Sequence, residues 1–433
     1  MLLLTDGSVI VQQTESNNWW HLTPDKKGNY YDGTWSQIAS MPSNYAPTYY
    51  ASAVLPDGRV IVEGGEYNGG QETDTTQGEI YDPLANTWTA VPPPTGSGWS
   101  LIGDAPSTVL ANGTFMLGSC CSSSDALLNE NTLTWTATGT GAAFNNEDGW
   151  SLLPNGDVLT TVASQPDNTQ IYSPGTGAWT DAGNPPAPLV NGGEVGPQLL
   201  LPDGDVFAAG ANGASDIYDT STGTWSAGPS FPVIGGQQYD IADGPSAVLP
   251  DGNVLFEASP GQQSPAHFFQ WNGTTLTQVA DSPNANIQPS YTGRMLVLPT
   301  GRILFDDLGS LELYSDNGLP QATWAPQISK VPTRLRTGAT YTVSGIQLNG
   351  LTQGSAYGDD YQSATNFPMV RITNDKTGDE SYARTFGMTS MSVAPGTHSS
   401  ANFRLPARID TGASTLEVIA NGIASTPVKV WVQ

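Results

Sequence analysis

Positive charge is scarce in this 433-residue chain: 14 lysines and arginines face 40 aspartates and glutamates, giving a formal charge of −26 and an isoelectric point of about 4.1. A nucleic-acid partner is excluded, because phosphate recognition needs a basic stripe. An anionic membrane surface is disfavoured by the same repulsion. Only three histidines and two cysteines are present, so neither a disulfide framework nor a Cys/His metal cluster organises the fold. No apolar run approaches the roughly 18 residues of a membrane span. The opening Met1-Leu2-Leu3-Leu4 is too short for a signal-peptide core and lacks its basic flank. Scarce lysine with abundant Ser, Thr, Asn and Gly points to an extracellular or cell-surface protein, its export signal removed or outside this chain.

What the chain does have is turn formers and core formers together. Gly (49) and Pro (33) are frequent, and 38% of the residues are hydrophobic, with 12 tryptophans. That composition suits a globular, turn-rich, all-β protein with a sizeable core. A tight-turn signature recurs as Thr5-Asp6-Gly7, Pro56-Asp57-Gly58, Ala111-Asn112-Gly113, Pro154-Asn155-Gly156, Pro202-Asp203-Gly204, Pro250-Asp251-Gly252 and Pro299-Thr300-Gly301. The glycines are 43 to 55 residues apart, a period that marks a repeat architecture. Apolar runs flank each turn, as in Ser52–Leu55 and Val60–Val62, which is the pattern of a hairpin. A short aromatic strand follows, for example Glu79–Pro83. A tryptophan-marked strand comes next, at Trp35, Trp88, Trp135, Trp179, Trp225 and Trp324, with Leu276 in the sixth copy. Four strands per unit in seven units predict seven antiparallel blades around an axis, the tryptophans packing between blades.

The stretch Leu55-Pro-Asp-Gly-Arg-Val-Ile-Val-Glu-Gly-Gly-Glu66, followed by Ile80-Tyr-Asp-Pro-Leu-Ala-Asn-Thr-Trp-Thr89, resembles a kelch repeat of the galactose-oxidase-like β-propeller superfamily. The resemblance covers residues 1–332 and implies a seven-bladed kelch-type β-propeller. Beyond Val331-Pro332 the period stops, and alternating segments such as Ala339–Ser344, Met369–Thr373, Thr415–Ile419 and Val428–Val432 follow. They predict a C-terminal β-sandwich over 333–433, similar to the immunoglobulin-like domain that follows the propeller in these relatives. Fold alone does not choose among the enzymes, glycan binders and scaffolds built on it.

Residues just before the first strand and just after the second share one end of each blade. Counting six back from the leucine of each turn gives Tyr49, Asp104, Glu147, Val195, Asp243 and Thr292, with Asp148, Glu194, Asp240 and Tyr291 beside them. Four blades thus offer a carboxylate at one height. Such a ring needs a cation, donors or raised pKa values to be tolerated. It could bind Ca²⁺ through oxygen ligands, or a glycan or other polyhydroxylated ligand beside Tyr49, Tyr50, Trp150 and Tyr291. Asp104, Glu147 and Asp243 are the candidate acid and base if the protein is a glycan hydrolase or lyase; scattered surface acids are the alternative. Arg294 would neutralise part of the ring or form a structural ion pair.

Cys120 and Cys121 fall near the same end. A vicinal disulfide is expected in an exported protein, as a rigid kink or as a flat platform for a ligand. The superfamily's copper-radical centre uses two histidines, an axial tyrosine and a cysteine-linked tyrosine. Here His21, His267 and His398 are scattered and no Tyr-His pair exists, so copper is not expected. In the relatives a loop of the C-terminal domain enters the channel. The segment Tyr382–Ser392, with Arg384, Thr385, Phe386 and Met388, is the candidate for that role, an ordinary hairpin on the rim being the alternative. The leading expectation is a monomeric, secreted kelch propeller that binds or processes a glycan at an acidic, aromatic mouth. An extracellular interaction scaffold and a divergent galactose-oxidase-like oxidoreductase are the alternatives.

Overall fold

The computed structural model describes residues 1–94, 99–165, 168–358 and 363–433. Its secondary structure is almost wholly antiparallel strand, and no helix among these residues is long and apolar enough to cross a membrane.

Each of the seven turns folds the same way. The leucine before the turn (Leu55 in the second copy) donates its N–H to the carbonyl four residues on and accepts the N–H of the turn glycine; the pair recurs at Leu4, Leu110, Leu153, Leu201, Leu249 and Leu298. Every one of these glycines is left-handed, with φ between 80° and 99°, a conformation glycine reaches without Cβ strain. The turn therefore fixes the register of the strands on either side. In the second sheet Ala51–Val54 pairs with Val60–Glu63, which pairs with Gly78–Asp82, which pairs with Thr87–Ala90. The same antiparallel order builds the sheets that begin at Leu2, Ser107, Trp150, Gln198 and Ser246.

First strands of successive sheets lie side by side, and Leu2–Leu4 of the first sheet share a core with Leu296, Leu298 and Leu304 of the seventh. The sheets thus close radially, as in a β-propeller. Between them sit the repeat tryptophans. The indole N–H of Trp88 donates to the Ala39 carbonyl of the preceding sheet at 2.8 Å, Trp135 to Pro92 at 2.7 Å, Trp179 to Asp125 Oδ2 at 2.7 Å and Trp225 to Ala182 at 3.2 Å.

The seventh sheet departs from the expected four strands. It holds Arg294–Val297, Ile303–Asp306 and Leu311–Tyr314. Trp324 is not on a fourth strand: it lies in a 3₁₀ turn, Ala322–Trp324, and packs on Gly252 of the sixth turn. Pro320 and Pro326 flank that turn, and proline cannot donate to a strand ladder.

Residues from Gln327 onward form a nine-stranded sheet in which Gln327–Lys330 pairs with Thr340–Ile346 and Met369–Asn374 lies between Glu380–Phe386 and Gly412–Ala420. Two segments beyond Gln327 touch the propeller. Tyr382–Ser392 docks on the Asp-Gly turns: Arg384 Nη2 donates to the Asp57 carbonyl at 2.7 Å, and the Met391 N–H donates to that of Ala111 at 2.9 Å. The expectation that this segment enters the channel is corrected, because its strand is held between two neighbours of its own sheet. A different segment lines the channel. Gln353 accepts the Leu152 N–H at 2.8 Å and donates to Thr108 Oγ1 at 3.3 Å, and Ser355–Ala356 adds a strand beside Ser246–Val248.

Gly7 meets Tyr382 at the turn end. With φ at 80° and the Tyr382 ring carbon 2.5 Å from where a Cβ would stand, Gly7→Ala is expected to cost about 1–3 kcal/mol. Urea denaturation checks this; an unchanged midpoint would show that the contact yields freely.

Candidate functional site

At the end of the sheets opposite the turns, chain segments leaving and entering the inner strands enclose a cavity of about 420 Å³. Tyr49, Asp104, Glu147, Asp243 and Tyr291 line it from just before first strands, and Thr14, Glu15, Glu66, Tyr67, Gln262 and Leu308 from just after second strands. Glu194 and Tyr357 complete the acidic and aromatic wall.

The backbone around the cavity is unusual. Glu15, Tyr49, Glu147, Asp243 and Leu308 all have φ between 51° and 64°. A left-handed conformation costs a residue with a Cβ roughly 1–2 kcal/mol, so the surrounding structure must hold these loops in place. Tyr49, Glu147 and Asp243 occupy the same repeat position, which makes the conformation a property of the site.

One side of the cavity is acidic. The carboxylates of Glu147, Glu194 and Asp243 each offer an oxygen within 4.8 Å of the others. At an effective dielectric near 20, two unit charges at that separation repel by about 3 kcal/mol. A bound cation or a set of hydroxyl donors would relieve that repulsion. Beneath them Asp240 accepts the Ala242 and Gly261 N–H groups, and burial pushes its carboxyl up to about 6 against those hydrogen bonds.

The other side is aromatic and organised by one guanidinium. Arg294 lies 3.9 Å from the ring centre of Tyr357 and 5.5 Å from that of Tyr49, and its Nη1 donates to the Tyr291 carbonyl at 2.8 Å. The Tyr357 hydroxyl donates to the same carbonyl at 2.8 Å. Tyr67 meets Tyr49 edge-on, with ring centres 6.1 Å apart. The Tyr67 hydroxyl is pushed up chiefly by the charge of Glu66.

The structure therefore brings together Tyr49, Asp104, Glu147, Glu194, Asp243 and Tyr291, with Arg294 behind them. Four other candidates lie elsewhere. Tyr50 alternates away from Tyr49 and is buried with its ring 6.4 Å from Trp19. Trp150 is buried against Trp179, ring centres 5.5 Å apart. Asp148 accepts the Ala163 N–H at 2.8 Å, and Arg384 is at the turn end. The Cys120 and Cys121 sulfurs are 2.11 Å apart; they pack behind Gly103, next to Asp74, rather than in the cavity wall. Missed by sequence reasoning were Glu15, Glu66, Tyr67, Gln262 and Tyr357. All but Tyr357 follow a second strand, a position whose signal is the shared end of the blade.

A Kelch motif family matches residues 47–95. Over the whole chain the structure is similar to a fungal alcohol oxidase of the AA5 family in complex with copper: TM-score 0.54, 12% identity, covering 100% of this chain and 96% of that one. The fold is that of a β-propeller protein with a Kelch motif at residues 47–95. The chain also matches virginiamycin B lyase from Staphylococcus aureus at 13% identity, covering 63% of this chain and 87% of that one, with a TM-score of 0.44. No match was found among curated protein sequences.

At 12% identity the likeness to the copper oxidase shows the fold alone, so copper is judged on the residues present. His21 lies on a strand of the first sheet, and His398 is exposed on the C-terminal sheet. His267 is paired with Asp281 at 2.8 Å and stacked on Tyr239. None of the three lines the cavity. Its donors are carboxylate, hydroxyl and amide oxygens, which suit a hard cation such as Ca²⁺ and not an imidazole-bound copper. The chain does not fit the copper centre of its structural neighbour.

Proposed function

We propose that this chain is a secreted seven-bladed kelch propeller, its seventh blade three-stranded, followed by an immunoglobulin-like sandwich from about residue 333, and that it binds a glycan at the propeller mouth. The observation that carries the reading is the convergence of Glu147, Glu194 and Asp243 on one side of a cavity whose other side is Tyr49, Tyr67, Tyr291 and Tyr357. Carboxylates accept sugar hydroxyls, tyrosine faces take the apolar face of a pyranose, and a Ca²⁺ ion held by the acids could bridge to vicinal diols. The same carboxylates, with Asp104, are the acid and base candidates if the bound glycan is cleaved, so product release separates binding from hydrolysis.

Thermal shift and calorimetry with neutral oligosaccharides, with and without Ca²⁺, test the reading, alongside assay of reducing-sugar release. Ligand or Ca²⁺ is expected to raise the melting temperature without product. Glu147→Gln, Glu194→Gln and Asp243→Asn should each weaken binding by about tenfold or more while leaving the apo protein as stable or more so, because like-charge repulsion is relieved. If no ligand or cation shifts the wild type and all three variants lose stability, the carboxylates are structural and the reading fails. Released sugar would make the protein a hydrolase or lyase instead.

A further inference from the structure

A second cavity, about 360 Å³, opens beside the first and shares Glu194 and Gln262 with it. Its lining comes from the fifth and sixth sheets alone, so it lies to one side of the channel axis. Asn191, Gly192 and Glu194 belong to the loop before the inner strand Gln198–Leu200, and Gly261, Gln262 and Gln263 to the loop after Val254–Ala258. Gln262 Nε2 stands 3.5 Å from Glu194 Oε1 where groove and mouth meet.

Both loops are fixed by hydrogen bonds. Asn191 and Glu194 each donate a backbone N–H to the other's carbonyl, at 3.1 and 3.2 Å, and Asn191 Nδ2 donates to the Ala211 carbonyl at 3.1 Å. Gly261 donates its N–H to Asp240 Oδ2 at 3.2 Å, and its carbonyl accepts the Ser259 hydroxyl at 2.6 Å. A ligand laid across such loops loses little affinity to ordering them. Gln262 and Gln263 are exposed. A Cβ added at Gly192 or Gly261 would meet no atom within 4 Å, so open space lies over the main chain at both points and a flat ring can approach it closely. Among the described residues of the lining, Glu194 is the one charged group, and Ala211 and Ala242 are the only apolar side chains.

We propose that this amide-lined groove holds the outer residues of a neutral oligosaccharide whose inner end occupies the mouth, which makes the ligand an extended chain rather than a single sugar. The inference rests on the glycan reading of the mouth and names the ligand class for it. Three features select this occupant. The groove is continuous with the mouth at Glu194 and Gln262. Each sugar hydroxyl both donates and accepts, and each amide side chain of the lining offers a donor and an acceptor in return, whereas the lining has no apolar pocket to take the side chains of a peptide. A surface of net charge −26 repels polyuronates and other acidic glycans, leaving neutral chains.

The test compares disaccharides with hexasaccharides of the cello, xylo and manno series by calorimetry, using the full chain. Wild type should bind a hexasaccharide about tenfold or more tightly than its disaccharide, and only the longer ligand should protect residues 191–194 and 261–263 from hydrogen exchange. Gln263→Ala should remove about three- to tenfold of hexasaccharide affinity, the loss of one or two hydrogen bonds, and leave disaccharide affinity unchanged. Gln262→Ala should weaken both lengths, because that side chain lines both cavities. Both glutamines are exposed, so the variants should melt near the wild-type temperature. Equal affinities for the two lengths, both weakened by Glu194→Gln, would overturn the groove while the mouth reading stands. Tighter hexasaccharide binding that protects other loops and ignores Gln263→Ala would do the same. Failure of every length to bind would overturn both. Protection of the two loops by an oligolysine peptide, and by no saccharide, would assign the groove to a basic polypeptide and refute the proposal.

Discussion

Replacing Trp150 by alanine is expected to destabilise the protein by about 3–5 kcal/mol, the range for deleting a large aromatic from a close-packed core. Trp150 opens the inner strand of the fourth sheet and is 2% exposed. It belongs to a cluster with Leu110, Met116, Val158, Tyr172 and Trp179 that joins the third and fourth sheets. Its ring also rests on the backbone of the third sheet, 3.1 Å from where a Cβ on Gly118 would stand, so neighbouring atoms cannot collapse into the space it leaves. Trp150→Phe should cost far less, because it keeps most of the ring and removes an indole N–H that has no hydrogen-bond partner among the described residues. Equilibrium unfolding in urea gives the size of the effect. Glycan titration well below the transition should give a dissociation constant within twofold of wild type. Lost binding with full stability would instead return Trp150 to the site.

That case shows what was legible in the sequence and what was not. The Asp-Gly turn spacing located every hairpin, since one hydrogen-bonding pattern at Leu4, Leu55, Leu110 and their equivalents sets each register. Counting back from those leucines found Tyr49, Asp104, Glu147 and Asp243 for the same reason. Alternation then separates neighbours: Tyr49 faces the cavity while Tyr50 faces the core. A window of adjacent residues cannot make that distinction without knowing where the strand begins. Glu66, Gln262 and Leu308 were harder to place because the loops after the second strands differ in length and lack a common turn. Tyr357 carries no local signal at all. It reaches the cavity only because the segment around Gln353 crosses the channel wall from outside the repeat. The outer strand anticipated at Trp324 failed for want of weight given to Pro320 and Pro326.

Stability is expected to fall as pH rises from about 4 to 7, the reverse of acid denaturation, and Asp125 should account for about 4 kcal/mol of it. Asp125 is 1% exposed, and burial pushes its carboxyl up to about 7 although it accepts the Trp179 and Asn145 donors, both at 2.7 Å. Glu63 is fully buried, has no hydrogen-bond partner on either oxygen among the described residues, and is raised well above the carboxylate range by burial and by Glu79. Glu257 is raised by burial and by Asp307, against Arg294. For a carboxyl with a folded pKa above its unfolded value, the native state keeps a proton that the unfolded chain has already released. The contribution is therefore complete below about pH 4 and is lost as pH climbs to the folded pKa. Asp125→Asn cannot ionise. It should cost about 1–2 kcal/mol at pH 4, where one of the two donors loses its acceptor, and should be more stable than wild type by pH 7. The measurement is the difference in unfolding free energy between variant and wild type at several pH values. Taking the difference cancels Glu63, Glu257 and the general repulsion of an acidic surface, which slope the same way. A difference that stays constant from pH 4 to 7 would mean that Asp125 is ionised throughout, its charge carried by the Trp179 and Asn145 donors despite its burial.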